Sequence, residues 1–189
     1  MSTGRKYTIV SLGTGRVGMS SLILRFTYNS FMNPSDTTIE DSYMKVITVD
    51  GETCQLDVID AGGQEELRAL RNQYYKKGDG LIVAYSITDR RSFEDVTGVI
   101  DGILEIREVE SAPIVLCGCK CDLEEKRVVS REEGQELADK RGLPFIETSA
   151  KDGTNVEEVF AMVAHAARDD DIAHTVSPDN EEDKKCVIQ

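Results

Sequence analysis

The sequence predicts an α/β fold, a single domain on a mixed, mostly parallel six-stranded sheet with helices on both faces. Three observations carry that expectation. Short apolar runs rich in β-branched residues alternate with stretches whose apolar residues recur at helical spacing. Asp50-Gly51 joins two of these runs directly, a strong hairpin signal that makes the two strands antiparallel neighbours. The remaining runs are separated by stretches long enough for a crossover helix, which favours parallel pairing.

The first run, YTIVSLG (7–13), leads into the turn Gly13-Thr14-Gly15-Arg16-Val17-Gly18-Met19-Ser20 and then an apolar helix start, SLILRF. SYMKVITVD (42–50) and TCQLDVID (53–60) form the hairpin. LIVAYSI (81–87), PIVLCGC (113–119) and PFIETSA (144–150) complete the sheet. Val156, Val159, Phe160 and Val163 form a stripe on the last helix, which reads as core. After Arg168 the segment DDDIAHTVSPDNEEDKK has too little apolar surface to offset the entropy of ordering. The expected organisation is a domain over 1–168 and a disordered acidic tail over 169–189.

Composition narrows the function classes. A length of 189 residues suits one domain plus a tail, and 40% apolar residues suffice for one core. With 22 basic and 35 acidic residues the net charge is −13, the opposite of the basic footprint that nucleic acid requires. No apolar run approaches the ~20 residues of a membrane-spanning helix. The start, MSTGRKYTIV, turns polar too early for a secretory signal. Five cysteines, with Cys117, Cys119 and Cys121 in one strand-like run, do not make a disulfide framework, so a reducing compartment is expected. Cys54 is the only other core cysteine and both histidines lie far off in sequence, so the trio reads as strand packing rather than a soft-metal site.

The turn at 13–20 matches the phosphate-binding pattern G-x-x-x-x-G-K-[ST] everywhere except the lysine, where Met19 stands. Glycines let backbone N–H groups curl around phosphate oxygens, and the following helix N-terminus adds partial positive charge. The turn also falls at a strand's carboxyl end, where open α/β sheets bind ligands. Taken singly it is a weak signal. Further along come Thr38-Ile39-Glu40-Asp41-Ser42-Tyr43, Asp60-Ala61-Gly62-Gly63-Gln64, Lys120-Cys121-Asp122 and Thr148-Ser149-Ala150-Lys151. In order and spacing these five segments resemble the nucleotide-site motifs of the Ras subfamily of small GTPases, over residues 7 to about 168.

The resemblance implies a P-loop GTPase domain and a monomeric switch in signal transduction, with GTP and GDP as ligands and Mg²⁺ as cofactor. It implies that Gly13, Gly15, Arg16, Val17, Gly18, Met19, Ser20 and Ser21 surround the phosphates. Ser20, Thr38 and Asp60 would serve Mg²⁺. Thr38 and the Gly63 N–H would meet the γ-phosphate, and Gln64 would orient the attacking water. At the base, Phe31 would pack on guanine, Lys120 would lie over it, and Asp122 would accept from its N1–H and amino group. Ala150, between Ser149 and Lys151, would offer its N–H to the guanine oxygen. Effector proteins would dock on residues 36–43, that is Asp36, Thr38, Ile39, Glu40, Asp41, Ser42 and Tyr43. An exchange factor and an activating protein are implied as further partners.

Several positions depart from the family pattern. Met19 removes a charged hydrogen bond worth ~1.5–3 kcal/mol. Cys119 replaces the asparagine that ties the base loop to the phosphate loop, at a cost of ~1–2 kcal/mol. Arg16 stands where glycine is usual, Ser35 where a tyrosine is usual, and Ala61-Gly62 replace threonine and alanine. Adjacent glycines at 62 and 63 should loosen that segment. Two functions follow: a guanine-nucleotide switch with slow hydrolysis, or a pseudo-GTPase that displays the effector segment with little turnover.

Cys186-Val187-Ile188-Gln189 fits a prenylation box, and the glutamine points to farnesyl. One lipid anchors only weakly. Lys184 and Lys185 alone precede it, and the acidic run 179–183 is repelled by anionic lipids. The expectation is exchanging association with the cytoplasmic face of the plasma membrane or an internal membrane, with a sizeable cytosolic pool.

Overall fold

A computed structural model describes residues 4–31, 41–61 and 71–176, with side chains omitted at 41, 71 and 174–176. In chain order the elements are β1 (Arg5–Gly13), α1 (Met19–Tyr28), β2 (Asp41–Val49), β3 (Glu52–Asp60), α2 (Arg71–Lys77) and β4 (Gly80–Ser86). They continue with α3 (Arg90–Arg107), β5 (Ile114–Cys119), α4 (Arg131–Arg141), β6 (Phe145–Thr148) and α5 (Val156–Val176). The strands form one six-stranded sheet in the order β2-β3-β1-β4-β5-β6. β2 runs antiparallel to β3, and every other neighbouring pair is parallel. The mixed, mostly parallel α/β architecture is the one expected.

Local chemistry explains the pieces. Asp50 (φ 51°) and Gly51 (φ 80°) both take positive φ, as a two-residue hairpin turn requires, and Val49 pairs with Glu52 across it. β4 and β5 are buried along their whole length because helices cover both of their faces. On one face α1 and α5 pack over the sheet, with Leu22, Ile23, Phe26, Val156, Val159, Phe160 and Val163 in one apolar cluster. Phe26 stacks on Phe160 with ring centroids 3.8 Å apart. Burying each such ring contributes about 1.5–3 kcal/mol. On the other face Tyr74 and Tyr75 of α2, Val96, Ile100 and Ile103 of α3 and Ala138 of α4 form the second cluster.

Three boundaries differ from expectation. β6 ends at Thr148, so Ser149 and Ala150 belong to a loop. α5 continues past residue 168 to Val176, so the start of the segment expected to be a disordered tail is helical. Ion pairs hold that turn to the sheet end: Arg5 reaches Asp171 at 3.0 Å, and Arg168 reaches Asp50 at 2.7 Å. Cys121 does not share a strand with Cys117 and Cys119. β5 stops at Cys119, and Lys120 turns the chain with φ 67°, which ends the alternation.

Candidate nucleotide-binding site

The parallel strands deliver the motifs to one edge of the sheet. β1 ends in the 13–20 turn, β3 in Asp60, β5 in Cys119-Lys120-Cys121-Asp122, and β6 in Ser149-Ala150-Lys151. This is the carboxyl edge, where ligands of such sheets bind.

Gly18 sits at the N-cap of α1 with φ 109° and ψ 10°, a left-handed conformation that favours glycine. No side chain caps the helix there, and its first turn carries no acidic residue. The leading amides of α1 therefore face the loop without a competing carboxylate, the arrangement that takes an anion. Val17 and Met19 are buried, at 3% and 5% exposure, in the cluster beneath α1. Gly15 and Arg16 are exposed. Arg16 has φ 69°, and a non-glycine residue there costs about 1–2 kcal/mol, which is why glycine suits the position.

The base loop meets the phosphate loop through Lys120. Its Nζ donates to the Arg16 carbonyl at 2.6 Å, and its stem lies alongside Gly18, where an added Cβ would come within 3.4 Å of Lys120 Cε. The cross-loop tie that Cys119 was expected to weaken is thus supplied by its neighbour. Cys119 itself turns inward to Cys117 and Thr148. Ser149 Oγ donates to Asp122 Oδ1 at 2.7 Å and accepts from the Asp152 N–H at 3.3 Å, which fixes the Asp122 carboxylate. Asp152 is held below the usual carboxylate range chiefly by the Thr154 hydroxyl and N–H, which keeps this loop's own turn closed.

Between these groups lies a cavity of about 270 Å³. Gly18, Ser21, Phe31, Lys120, Asp122, Ala150 and Lys151, all singled out from the sequence, line it. Cys119 and Thr148, which the sequence reading already placed at the base-side motifs, line it as well, and so do Leu22 and Leu123, which had no role in that reading. Leu123 directly follows Asp122, so extending that motif by one residue would have found it. Phe31 is 43% exposed, at the cavity mouth.

Asp60 is buried at 1% exposure where β3 ends beside β1, and Ser11 Oγ donates to its Oδ1 at 3.4 Å. Ser20 lies on the first turn of α1, directly after the loop that follows β1. Carboxylate and hydroxyl oxygens are the donors a hard divalent cation takes, so this set fits Mg²⁺. The remaining expected partners, Asp36, Thr38, Ile39, Glu40, Gly63, Gln64 and Cys186, lie outside the described residues, as do Ser35 and Gly62. The side chain of Asp41 is likewise outside them. Ser42 is exposed on β2, and Tyr43 packs edge-on against Tyr28 with centroids 6.3 Å apart.

Behind the base loop, Arg127 forks onto Glu147 at 2.7 and 2.9 Å and also pairs with Glu124. These carboxylates raise the Arg127 guanidinium well above its ordinary range, Glu147 first. Glu147 lies on β6 immediately before Thr148-Ser149, so the pair braces the strand that presents the base loop.

The comparisons with known proteins agree with this geometry. The sequence model of the Ras family matches residues 8–169. The chain is 44% identical over 163 residues to Ras-like protein rasB of Dictyostelium discoideum, covering 86% of this chain and 83% of that one. It is 42% identical over 169 residues to Ras-like protein 1 of Saccharomyces cerevisiae, covering 89% of this chain and 55% of that longer protein. The match spans the phosphate-type loop, the buried acid at the end of β3 and the base pocket, and the chain belongs to the Ras family of small GTPases, the signalling switches that bind GTP and GDP.

Proposed function

We propose that this chain binds GDP and GTP in the cleft just described and works as a signalling switch with slow GTP hydrolysis. The observation that carries the reading is the base pocket: an Asp122 carboxylate oriented by Ser149, in a cavity whose wall Lys120 fastens to the phosphate loop. Guanine presents N1–H and an amino group to such a carboxylate, a donor pair that adenine lacks. Phe31 would cover the ring, and the Ala150 N–H would take the guanine oxygen. The amides of residues 15–20 would hold the phosphates. Mg²⁺, held by Ser20, Asp60 and Thr38, would neutralise phosphate oxygens when bound. Thr38 and the Gly63 N–H would close on the γ-phosphate, Gln64 would orient the water, and hydrolysis would release both segments.

Met19 is the reason for slow turnover. A buried thioether replaces a cation where charge builds up in phosphoryl transfer. The same residue favours the second reading, a pseudo-GTPase that presents residues 36–43 to effectors without turnover. Single-turnover hydrolysis on purified protein with Mg²⁺ separates the two. The switch reading expects slow conversion of bound GTP to GDP. It expects Met19→Lys to tighten GTP by ~1.5–3 kcal/mol, roughly ten- to hundredfold, and to speed hydrolysis. No conversion over many hours would leave only the effector module. Unchanged affinity and rate in Met19→Lys would refute this account of the loop.

An exchange factor and an activating protein, the latter able to supply an arginine, complete the proposed cycle for a monomer. Cys186 would carry a farnesyl chain that brings the protein to the cytoplasmic face of the plasma membrane or an internal membrane. A single chain next to an acidic run holds loosely and leaves a cytosolic pool. Prenylated protein should remain longer on neutral than on anionic vesicles at low salt; equal retention would contradict the repulsion.

A further inference from the structure

The guanine cavity has a sulfur floor. Cys117 and Cys119 project from the same face of β5, with their Sγ atoms 3.9 Å apart, and they are buried at 0% and 3% exposure. Only Cys119 lines the cavity. The Thr148 hydroxyl sits between the two thiols, 3.4 Å from Cys117 Sγ and donating to Cys119 Sγ at 3.9 Å. The pair is electrostatically unequal. The Cys117 S–H, then the Thr148 hydroxyl and the Lys120 ammonium, hold the Cys119 thiol below its ordinary range. Donation to Cys119 and burial push Cys117 up. Cys121, half-buried beside Asp152, Glu147 and Asp122, is pushed up to about 11, first by burial and then by those carboxylates. The most readily ionised of the three thiols is therefore the one whose residue lines the cavity.

We infer that Cys117 and Cys119 form an oxidisable dithiol beneath the guanine pocket, which a hydroperoxide converts to a disulfide when the pocket holds no nucleotide and which then opposes nucleotide rebinding. The inference rests on the guanine-nucleotide reading above. Cys119 thiolate attacks one peroxide oxygen; the O–O bond breaks, an S–O bond forms, and the departing alkoxide takes a proton from water. Cys117 sulfur then attacks the sulfenic sulfur. The S–S bond forms as the S–O bond breaks, and hydroxide leaves with the Cys117 proton as water. Two electrons pass from the dithiol to the peroxide.

Closing to a disulfide length of about 2.05 Å draws the two residues together. Cys119 is the last residue of β5, paired with Ser86 and Thr148, and Lys120 follows at φ 67°, so the bridge bends the strand at its end, next to the Lys120 turn. That movement displaces Lys120 from Arg16 and disturbs Asp122. A guanine seated in the cavity covers Cys119 and slows the first step.

The sequence allows a direct readout. Trypsin cuts after Arg107, Lys120 and Lys126, which puts Cys117 and Cys119 in one peptide and Cys121 in the next. The full chain, either stripped of nucleotide or loaded with GDP and Mg²⁺, is exposed to hydrogen peroxide, alkylated and mapped by mass. GDP binding by the reduced protein is measured first. The expected result is a loss of two hydrogens within peptide 108–120, formed roughly tenfold or more slowly with GDP bound, as protection by occupancy requires. GDP affinity should fall roughly tenfold or more after oxidation, the scale of one charge-assisted hydrogen bond, and dithiothreitol should restore it. Cys117→Ser should stop the chemistry at a sulfenic acid that dimedone traps. Equal oxidation rates in both states, unchanged GDP binding after oxidation, or cross-linking of 108–120 to 121–126 would each overturn the proposal. Reduced protein that binds no GDP would instead sink the guanine reading, and the nucleotide gate with it.

Discussion

Replacing Asp122 with alanine should lower GDP affinity by roughly two to four orders of magnitude, because two hydrogen bonds to a charged acceptor disappear at ~1.5–3 kcal/mol each. The geometry sharpens the expectation. Ser149 Oγ already occupies one side of the carboxylate at 2.7 Å, so the other lone pairs are aimed at the cavity. The ADP affinity should barely change, since adenine has no donor pair for Asp122 to accept. Competition of GDP and ADP against a fluorescent guanine nucleotide reads both quantities in one format. Ser149→Ala should cost GDP affinity far less, because it removes a bond that orients the carboxylate and no bond to the base. If Asp122→Ala weakens GDP by less than about threefold, the pocket does not read guanine through that carboxylate.

Arg127→Met should destabilise the folded protein by ~3–5 kcal/mol, the cost of leaving one member of a buried ion pair without its partner. Glu147 has only 7% side-chain exposure and Arg127 16%, so removing the guanidinium leaves a largely buried carboxylate without its counter-charge. Urea unfolding followed by far-UV dichroism should show a lower midpoint with an unchanged slope. Adding Glu147→Leu should recover much of the loss, because an apolar residue needs no counter-charge. The Glu124 partner is 70% exposed, and removing it alone should change stability by less than about 1 kcal/mol. A midpoint unchanged in Arg127→Met would mean that the pair holds nothing. Because β6 presents Ser149, GDP affinity should fall along with stability.

Local signals were legible in the sequence and long-range ones were not. Asp50-Gly51 announces its turn because both residues tolerate positive φ, and the turn is closed by neighbours in the chain. The glycine-rich turn and the acid at the end of β3 announce themselves for the same reason. The Lys120–Arg16 bond joins residues 104 apart and ends on a carbonyl, which leaves no trace in side-chain pattern. The Arg127–Glu147 fork spans a helix that sequence spacing cannot orient. Cys121 continues a two-residue rhythm on paper, but one left-handed residue at 120 turns it away. The C-terminal helix outran its expected end because Asp171 and Arg168 find partners across the sheet, although their composition alone favours disorder.

The strut from Lys120 grips main chain rather than side chain. Such a grip is blind to which amino acid occupies position 16, so mutation can wander there at the expense of backbone strain alone. An arginine at a left-handed position, where glycine would be free of strain, is what that freedom allows. A lineage holding this bolt can go on experimenting with its phosphate loop while the two halves of the cleft stay joined.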